Sequence, residues 1–287
     1  MTKIERYHLH KNDPSKLHFE VKDALPYYEL NKKPASVPHR HSFYQLIWFK
    51  EHGRHYVDYE VIDHEANSIF FINKNQIHYF CPDSSNIGHL FHFNDEFINA
   101  RNTGLMDRFA VSIFNEIGGY CLNLDPAEAQ KLDGITASIQ SELTSKESFY
   151  KEQVYHYFQI ILLQIERLRK KESNIDFNAN MDFGLAFKFK RLINQQIHEF
   201  HSIDEYALAL GTNSETLTNV SKKILLTTPA EVIRESKLLE AKRMLSNQKI
   251  SIKEIAYSLG FDDPTYFTKY FKKGVGHTPK EFQRTFL

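Results

Sequence analysis

The stretch "EIAYSLGFDDPTYFTKYFKK", Glu254–Lys273, decides the fold of the C-terminal part of the chain. Apolar residues at helical spacing on both sides of Gly260 predict two short helices joined by a tight turn. Gly260 can end the first helix in the left-handed conformation that favours glycine. Asp263 can cap the second helix, and Pro264 suits its first turn. The stretch therefore predicts a helix-turn-helix.

The same pattern occurs twice. The segment "SIDEYALALG" at 202–211 matches "SIKEIAYSLG" at 251–260 with an offset of 49 residues. After one extra residue the match resumes with an offset of 50, pairing Lys222-Lys223 with Lys272-Lys273 and Thr228-Pro229 with Thr278-Pro279. The sequence therefore predicts two copies of one helical unit.

Each copy carries strong helix-start signals. In a capping box, a Ser or Thr side chain and a Glu three residues later satisfy backbone amides that the helix leaves unpaired. Four such boxes are predicted, at Ser202–Glu205, Ser251–Glu254, Thr228–Glu231 and Thr278–Glu281. Gly211 and Gly260 are placed to end the first helix of each copy. Ala207 and Ala256 are small where a second helix must cross closely.

The second helix of each copy has one face suited to packing and one suited to solvent or to a DNA major groove. In the second copy we expect Tyr266, Phe267, Tyr270 and Phe271 to pack, and Thr265, Thr268, Lys269, Lys272 and Lys273 to face outward. In the first copy the outward set is Glu215, Thr216, Asn219, Lys222 and Lys223. Lysines suit phosphates, and the amide, carboxylate and hydroxyl groups can reach base edges. One such unit alone could be a plain helical corner, but two copies that both end in Lys-Lys favour DNA binding.

The segment between the copies, "VIRESKLLEAKRMLSN", is a strong helix former. About fifteen helical residues span about 22 Å. A spacer of that order can hold two recognition helices in successive major grooves, which lie about 34 Å apart.

The signature "IAYSLGFDDPTYFTKYFKKGVGHTPKEFQR" resembles bacterial transcription regulators of the AraC/XylS type. The resemblance implies a promoter-binding protein with two helix-turn-helix units, commonly a dimer and commonly controlled by a small effector. By position, it assigns DNA contacts in the first unit to Glu215, Thr216, Asn219 and Lys222, and in the second to Asp262, Asp263, Thr265, Thr268, Lys269 and Lys272. The chain departs from the family at Asn219 and Lys269, where arginine is common, and at Ser221, where a core phenylalanine is usual. The first recognition helix is therefore expected to pack less tightly and to bind DNA less strongly.

The N-terminal part has a different pattern. Short apolar and aromatic runs between Leu17 and Phe93 predict an antiparallel sandwich or barrel, and helical periodicity begins after Asp125-Pro126. In the second of these helices, Val154, Phe158, Ile161, Leu162, Ile165 and Leu168 form an apolar stripe that can pack on its own domain or against a second subunit. Residues 1–181 carry 20 Lys/Arg and 24 Asp/Glu, whereas residues 182–287 carry 16 and 12. The C-terminal part is therefore the more basic, as a DNA-binding domain would be.

Twelve of the 15 histidines precede residue 182. His39 and His41 are two residues apart and lie on one face of a strand, with Gln45 further along and His78 at the end of a later run. This arrangement resembles the two cupin motifs, in which a glutamate and histidines hold a metal ion. Gln45 occupies the glutamate position and is a poorer ligand, so we expect a pocket for a small organic effector. The candidate effector residues are His39, His41, Gln45, Trp48 and His78, with a metal site as the alternative.

These observations predict an α+β protein of two domains. Residues 1–172 form a cupin-like β-barrel with trailing helices for sensing and dimerisation, residues 173–182 a linker, and residues 183–287 an all-α tandem helix-turn-helix domain. The expected partners are double-stranded DNA at a promoter, a small-molecule effector, a second copy of the chain and RNA polymerase. No cofactor is expected. Short apolar runs and a charged N-terminus predict a cytoplasmic protein without a membrane segment.

Two competing interpretations remain open at this point. One is a metal-dependent cupin enzyme with a helical appendage. The other is a regulator without an effector, controlled by a protein partner. The sequence contains neither a glycine-rich phosphate loop nor a nucleophile elbow, so other enzyme classes are disfavoured.

Overall fold

The computed structural model describes residues 4–9, 17–58, 60–99, 113–114, 120–173, 181–199, 202–225, 227–245 and 250–286. The chain divides into two compact units. We call residues 5–175 the sensor unit, after the role that the sequence predicts for them, and residues 176–287 together with Met1–Ile4 the helical unit.

The sensor unit is built mainly from strands. They are β1 (Glu5–Tyr7), β2 (Phe19–Asp23), β3 (His39–His41), β4 (Tyr44–Phe49), β5 (Gly53–Val57), β6 (Glu60–His64), β7 (Ser68–Ile72), β8 (Ile77–Phe80), β9 (Gly88–Phe93) and β10 (Cys121–Asn123). Three short helices lie among them, α1 (Ala24–Leu30), α2 (Lys32–Ala35) and α3 (Asp95–Asn99).

The described strands pair into two five-stranded sheets. The first has the order β1-β3-β8-β5-β6 and the second β10-β7-β4-β9-β2. All pairs are antiparallel except β1 with β3. The predicted antiparallel layers are thus present, but the pairings leave two open sheets, and within the described residues they do not close into the barrel that the cupin resemblance implies.

The two faces of the second sheet bury different cores. Ile47 and Phe49 of β4 pack with residues of the first sheet, such as Val57 and Phe80, so the sheets lie face to face. The alternate residues of β4 point to the other side, because successive side chains of a strand face opposite ways. That side packs against two long helices. The sensor unit therefore has three layers.

The two long helices are α4 (Pro126–Ser145) and α5 (Tyr150–Ser173). Asp125 caps α4 by accepting a hydrogen bond from the backbone N–H of Glu128 at 2.9 Å. The predicted apolar stripe of α5 packs into the core of its own unit. Its residues Val154, Phe158, Ile161, Leu162 and Ile165 are buried against the second sheet, and Leu168 packs at the edge.

The helical unit contains seven α-helices among its described residues. They are α6 (Met181–Gln196), α7 (Ile203–Ala209), α8 (Ser214–Val220), α9 (Pro229–Leu245), α10 (Ile252–Ser258), α11 (Pro264–Val275) and α12 (Pro279–Phe286). A π-helical turn, Ser221–Leu225, continues α8. No helix in the described part of the chain combines the length and apolar character that a membrane span requires.

Helix α9 joins the two copies of the repeat. It contacts α6 in the first copy and α10, α11 and α12 in the second. The core of the first copy includes Phe189, Tyr206 and Leu217. In the second copy Phe267 and Phe271 are fully buried, and Phe271 packs edge-on against Phe282. Each copy therefore has an apolar core, and α9 contacts both.

Candidate nucleic-acid interface and histidine cluster

The turns of both helix-turn-helix units have the predicted geometry. Gly211 and Gly260 have φ angles of +67° and +76°, the left-handed region that favours glycine. The residue after each glycine donates its backbone N–H to the oxygen of Ala207 or Ala256, at 3.0 Å in both cases. Both alanines are buried. The predictions for these glycines and alanines are confirmed.

Three of the four predicted capping boxes are complete. Those of α7 and α10, at Ser202–Glu205 and Ser251–Glu254, have both reciprocal hydrogen bonds. In the box of α12, the Thr278 N–H donates to Glu281 at 2.7 Å, and the Glu281 N–H donates to the Thr278 hydroxyl at 3.2 Å. These hydrogen bonds lower the pKa of the Glu281 carboxyl below its ordinary value.

The fourth box is only half formed. The Glu231 N–H donates to the Thr228 hydroxyl at 3.3 Å, as predicted. The Glu231 carboxylate instead accepts hydrogen bonds from the Arg234 side chain, including one at 2.8 Å from Nε. An arginine one turn along the helix therefore takes the carboxylate that the box would use.

The second recognition helix, α11, presents a polar face. Asp263 caps the helix by accepting hydrogen bonds from the backbone N–H groups of Thr265 and Tyr266, at 2.8 and 3.2 Å. Of the predicted DNA-contacting residues, those exposed to solvent are Asp262, Asp263, Thr265, Lys269 and Lys272. Thr268 is half-buried, and its hydroxyl donates to the Pro264 carbonyl at 2.9 Å. The exposed members of the predicted set thus run from the start of the helix, at Asp262 and Asp263, to its last turn, at Lys272.

Tyr266 differs from the sequence expectation. It was expected to pack with Phe267, Tyr270 and Phe271, but 61% of Tyr266 is exposed. Phe267 and Phe271 are one turn apart, and both are fully buried. Tyr270 lies at its edge, where burial raises its pKa to about 12. Tyr266 therefore joins the outward face, beside Lys269.

The first recognition helix, α8, is shorter. It contains seven residues, compared with twelve in α11, before the backbone widens into the π-helical turn. Asn213 caps its start by accepting a hydrogen bond from the Thr216 N–H at 2.8 Å. The predicted contact residues Glu215, Thr216, Asn219 and Lys222 are all exposed. Ser221, which stands where Phe271 fills the core of the second copy, is fully buried, and its hydroxyl has no hydrogen-bond partner in the described residues.

The two Lys-Lys pairs have different surroundings. Lys223 forms an ion pair with Asp182, with 2.6 Å between Nζ and Oδ2. Its equivalent, Lys273, is exposed and has no ion-pair partner within the described residues. Asp182 was missed as a partner because it lies 41 residues away in sequence.

The sensor unit buries histidines between its two sheets. His39 and His41 of β3 and His78 of β8 each offer one ring nitrogen, and these nitrogens all lie within 4.8 Å of one another. The pairing of β3 with β8 places His39 directly opposite His78. The structure therefore brings together the three histidines that the sequence singled out.

Further groups, which sequence reasoning missed, line this cluster. His55 of β5 lies 3.2 Å from His78, between Nε2 and Nδ1. The Tyr7 ring packs against His39 and His41, with ring centroids 5.7 and 5.8 Å away. Strand alternation alone would have marked His55 as buried, but only the pairing of β5 with β8 shows that it meets His78.

Of the other predicted effector residues, Gln45 lies on the histidine side and Trp48 does not. The Gln45 side-chain nitrogen is 2.7 Å from His92 Nε2, and the ring of His92 stacks at 6.3 Å from that of His41. Trp48 is three residues after Gln45 on β4, so its side chain points to the opposite face, where it packs in the core that includes α4 and α5.

The buried histidines are held neutral. Burial lowers the pKa of His39 to about 4. Burial and the neighbouring imidazoles lower the pKa of His41 and His78 well below the ordinary value. Both ring nitrogens of His41 and Nε2 of His78 have no hydrogen-bond partner among the described residues. A buried polar group without a partner costs about 1–3 kcal/mol, so binding of a group that pairs with these nitrogens would be favoured.

Known proteins match mainly the helical unit. A helix-turn-helix domain family matches residues 206–285. The "Probable transcription factor PqrA" of Proteus vulgaris is 34% identical over 88 residues, which cover 31% of this chain and 72% of that protein. The "Uncharacterized HTH-type transcriptional regulator YisR" of Bacillus subtilis is 31% identical over 100 residues, or 35% of each chain.

Among solved structures, an AraC-type transcriptional regulator from Chromobacterium violaceum is 25% identical and has a TM-score of 0.33, covering 35% of this chain and 90% of that one. The chain spans 7%, 35% and 50% of the length of three of the curated relatives that it matches, YisR among them. The helix-turn-helix family match, residues 206–285, spans both copies of the repeat from Tyr206 onward. The match with PqrA, at 34% identity over 72% of that protein, together with the helix-turn-helix family match, shows that the chain belongs to the AraC/XylS family of helix-turn-helix transcription regulators.

Proposed function

We propose that this protein is a sequence-specific, DNA-binding transcription regulator whose sensor unit binds a small effector. The observation that carries the proposal is the pair of equivalent, capped recognition helices, each with a polar face exposed to solvent. Two of the similar proteins, YisR and PqrA, carry the names of transcription regulators, which supports a role in DNA binding.

The second unit is the stronger candidate for reading bases. Lys269 is exposed near the middle of α11, and Lys272 lies one turn further on, where phosphates of the flanking backbone would be within reach. Tyr266 adds an exposed aromatic ring that can make apolar contacts with bases. Lysine at position 269 gives a point charge rather than the planar fork of arginine, so direct base discrimination there is modest.

We propose that the two sheets form a cupin-like sandwich and that the effector binds in the space between them. Its candidate residues are His39, His41, Gln45 and His78, whose nitrogen and oxygen atoms include several without partners. Trp48 would act from the far side of β4, by supporting the strand that carries Gln45. Effector occupancy shifts DNA binding only by its differential affinity for two states of the protein.

Dimerisation is assigned to the outer face of α5. The stripe Val154–Ile165 is buried, but Ile160 and Leu163 on the opposite face are each 42% exposed. The exposed positions 153, 156, 160, 163 and 167 follow the alternating three and four spacing of a coiled-coil seam. A second copy of the chain can cover this seam, and a dimer would double the DNA footprint. If the protein activates transcription, we propose that it also contacts RNA polymerase.

The experiment that tests the proposal is selection of DNA from a random pool by the purified full chain, at two salt concentrations. Phosphate contacts are sensitive to salt, so specific enrichment should persist at the higher concentration while nonspecific binding falls. We expect a site with two elements about one helical turn apart. A folded protein that enriches no sequence at either salt concentration, with or without added metal or cell extract as a source of effector, would contradict the proposal.

A further inference from the structure

We propose that His39, His41 and His78 bind one divalent first-row transition-metal ion. This names the chemical class of the effector, so its regulatory consequence rests on the proposed function. Metal binding itself does not depend on DNA and can be tested without it.

The three ligands are held by paired strands. His39 and His41 share one face of β3, and His39 lies opposite His78 in the β3–β8 register. Their ring centroids are 4.5 to 4.9 Å apart. A tetrahedral ion with metal–nitrogen distances of about 2.0–2.1 Å needs ligand nitrogens about 3.3 Å apart. The nitrogens already lie within 4.8 Å of one another, which leaves a gap of at most about 1.5 Å for the rings to close on binding.

The hydrogen bonds around the cluster leave the ring nitrogens in a suitable state. His39 Nδ1 lies 2.9 Å from the Val37 carbonyl, which can only accept, so Nδ1 carries the proton and Nε2 keeps its lone pair. Metal-bound histidines commonly donate their other N–H to a carbonyl in this way. His55 can play the same part for His78 Nδ1, at 3.2 Å.

His41 is the residue whose surroundings most clearly favour a metal ligand. It is buried, and neither of its ring nitrogens has a hydrogen-bond partner in the described part of the chain. A neutral imidazole in this position offers a lone pair, which a metal ion would satisfy. Aromatic rings of Tyr7 and Phe43 pack around it and limit access of water.

The donor set selects the kind of metal. Three imidazoles suit zinc, nickel, copper and iron, whereas magnesium and calcium prefer carboxylate and carbonyl oxygens. No carboxylate belongs to the metal-ligating group that the described residues form. The fourth coordination position is therefore left to an exogenous ligand, as in sites with three histidines that keep one position open.

The test is titration of the chelator-treated full chain with Zn²⁺ and, as a spectroscopic probe, Co²⁺. We expect one ion per chain, a rise in melting temperature, and the intense visible absorption of four-coordinate Co²⁺. Mg²⁺ should give none of these. His41→Ala should weaken Zn²⁺ binding more than a hundredfold, since loss of a ligand exceeds the about 10- to 100-fold cost of losing only a ligand's hydrogen-bond partner. His55→Ala should weaken Zn²⁺ binding by only about 10- to 100-fold, because it removes a hydrogen-bond partner of His78 and not a ligand.

A matched control is His64→Gln, because His64 is also buried between the sheets but is not one of the three clustered ligands. It should leave Zn²⁺ affinity unchanged. Folded wild-type protein that binds neither ion, or that binds Zn²⁺ equally well after His41→Ala, would overturn the inference. In that case DNA selection could still succeed, so failure of the metal site and failure of the proposed function give different results.

Discussion

Replacing Lys273 by alanine should weaken DNA binding more than replacing Lys223, its equivalent fifty residues earlier. Lys273 lies in the last turn of α11, and Lys223 lies in the π-helical turn that continues α8; we expect both to contact phosphate. Lys223, however, is already paired with Asp182 at 2.6 Å, whereas Lys273 has no ion pair within the described residues. DNA must therefore compete with Asp182 for Lys223 but not for Lys273.

The expected sizes follow from the number of phosphate contacts. Each phosphate contact contributes about 0.9 to the slope of the logarithm of the DNA-binding constant against the logarithm of the salt concentration. Between about 1 M and about 0.1 M salt, one contact is therefore worth about eightfold in affinity, which is the loss expected when it is removed. An exposed ion pair is worth up to about 1 kcal/mol, or about fivefold. Lys273→Ala should thus cost about eightfold, and Lys223→Ala as little as about twofold. Asp182→Asn should raise affinity by up to about fivefold.

The assay is fluorescence anisotropy with the selected DNA site at several salt concentrations, with thermal melts to confirm folding. The double variant Asp182→Asn with Lys223→Ala supplies the control. Removing Asp182 should no longer raise affinity when Lys223 is absent, because its effect acts through that lysine. Equal losses for Lys223→Ala and Lys273→Ala, or an equal gain from Asp182→Asn in both backgrounds, would refute the reasoning.

Three further predictions test other parts of the structure. Ile160→Asp with Leu163→Asp should convert a dimer to monomers in analytical ultracentrifugation while the melting temperature stays close to wild type; a dimer that persists would place the interface elsewhere. Gly88→Ala should destabilise the sensor unit by about 3 kcal/mol or more in urea unfolding, because its Cβ would lie 1.9 Å from a backbone oxygen of the neighbouring strand. Gly134→Ala, on an open helix surface, should instead raise the free energy of unfolding of the sensor unit by up to about 1 kcal/mol. A similar loss of stability in both variants would contradict this account. Tyr266→Ala should reduce affinity for the selected DNA site by about 1–2 kcal/mol while the free energy of unfolding changes by less than about 0.5 kcal/mol; a large loss of stability would show that the ring packs after all.

The helical unit was largely predictable because its signals are local. A capping box or a glycine turn depends on residues within one helical turn of each other, so sequence spacing nearly determines the geometry. The exceptions are those in which a further neighbour intervenes. Arg234 takes the Glu231 carboxylate from the Thr228 box, and Tyr266, next to the buried Phe267, is exposed to solvent.

The sensor unit was less predictable because its contacts depend on strand register. The two-residue spacing of His39 and His41 places them on one face, and the later run supplies His78, so the cluster itself could be anticipated. His55 joins it only through the pairing of β5 with β8. The face on which Trp48 lies follows from its odd separation from Gln45, but which face meets the histidines is decided by the packing of the two sheets.

The repeat provides a comparison within one molecule between positions that maintain the fold and positions that are free to diverge. The copies agree at the capping serines, the turn glycines and the buried alanines, all of which stabilise the helices and their crossing. They differ at Ser221 and Phe271, where one copy leaves a buried hydroxyl unpaired and the other fills its core with a ring. They differ again at the end of the recognition helix, where only the first copy has a paired lysine. Each of these differences weakens either the packing or the DNA contacts of the first copy. A DNA site selected from a random pool should therefore show stronger base preferences where the second unit binds than where the first unit binds.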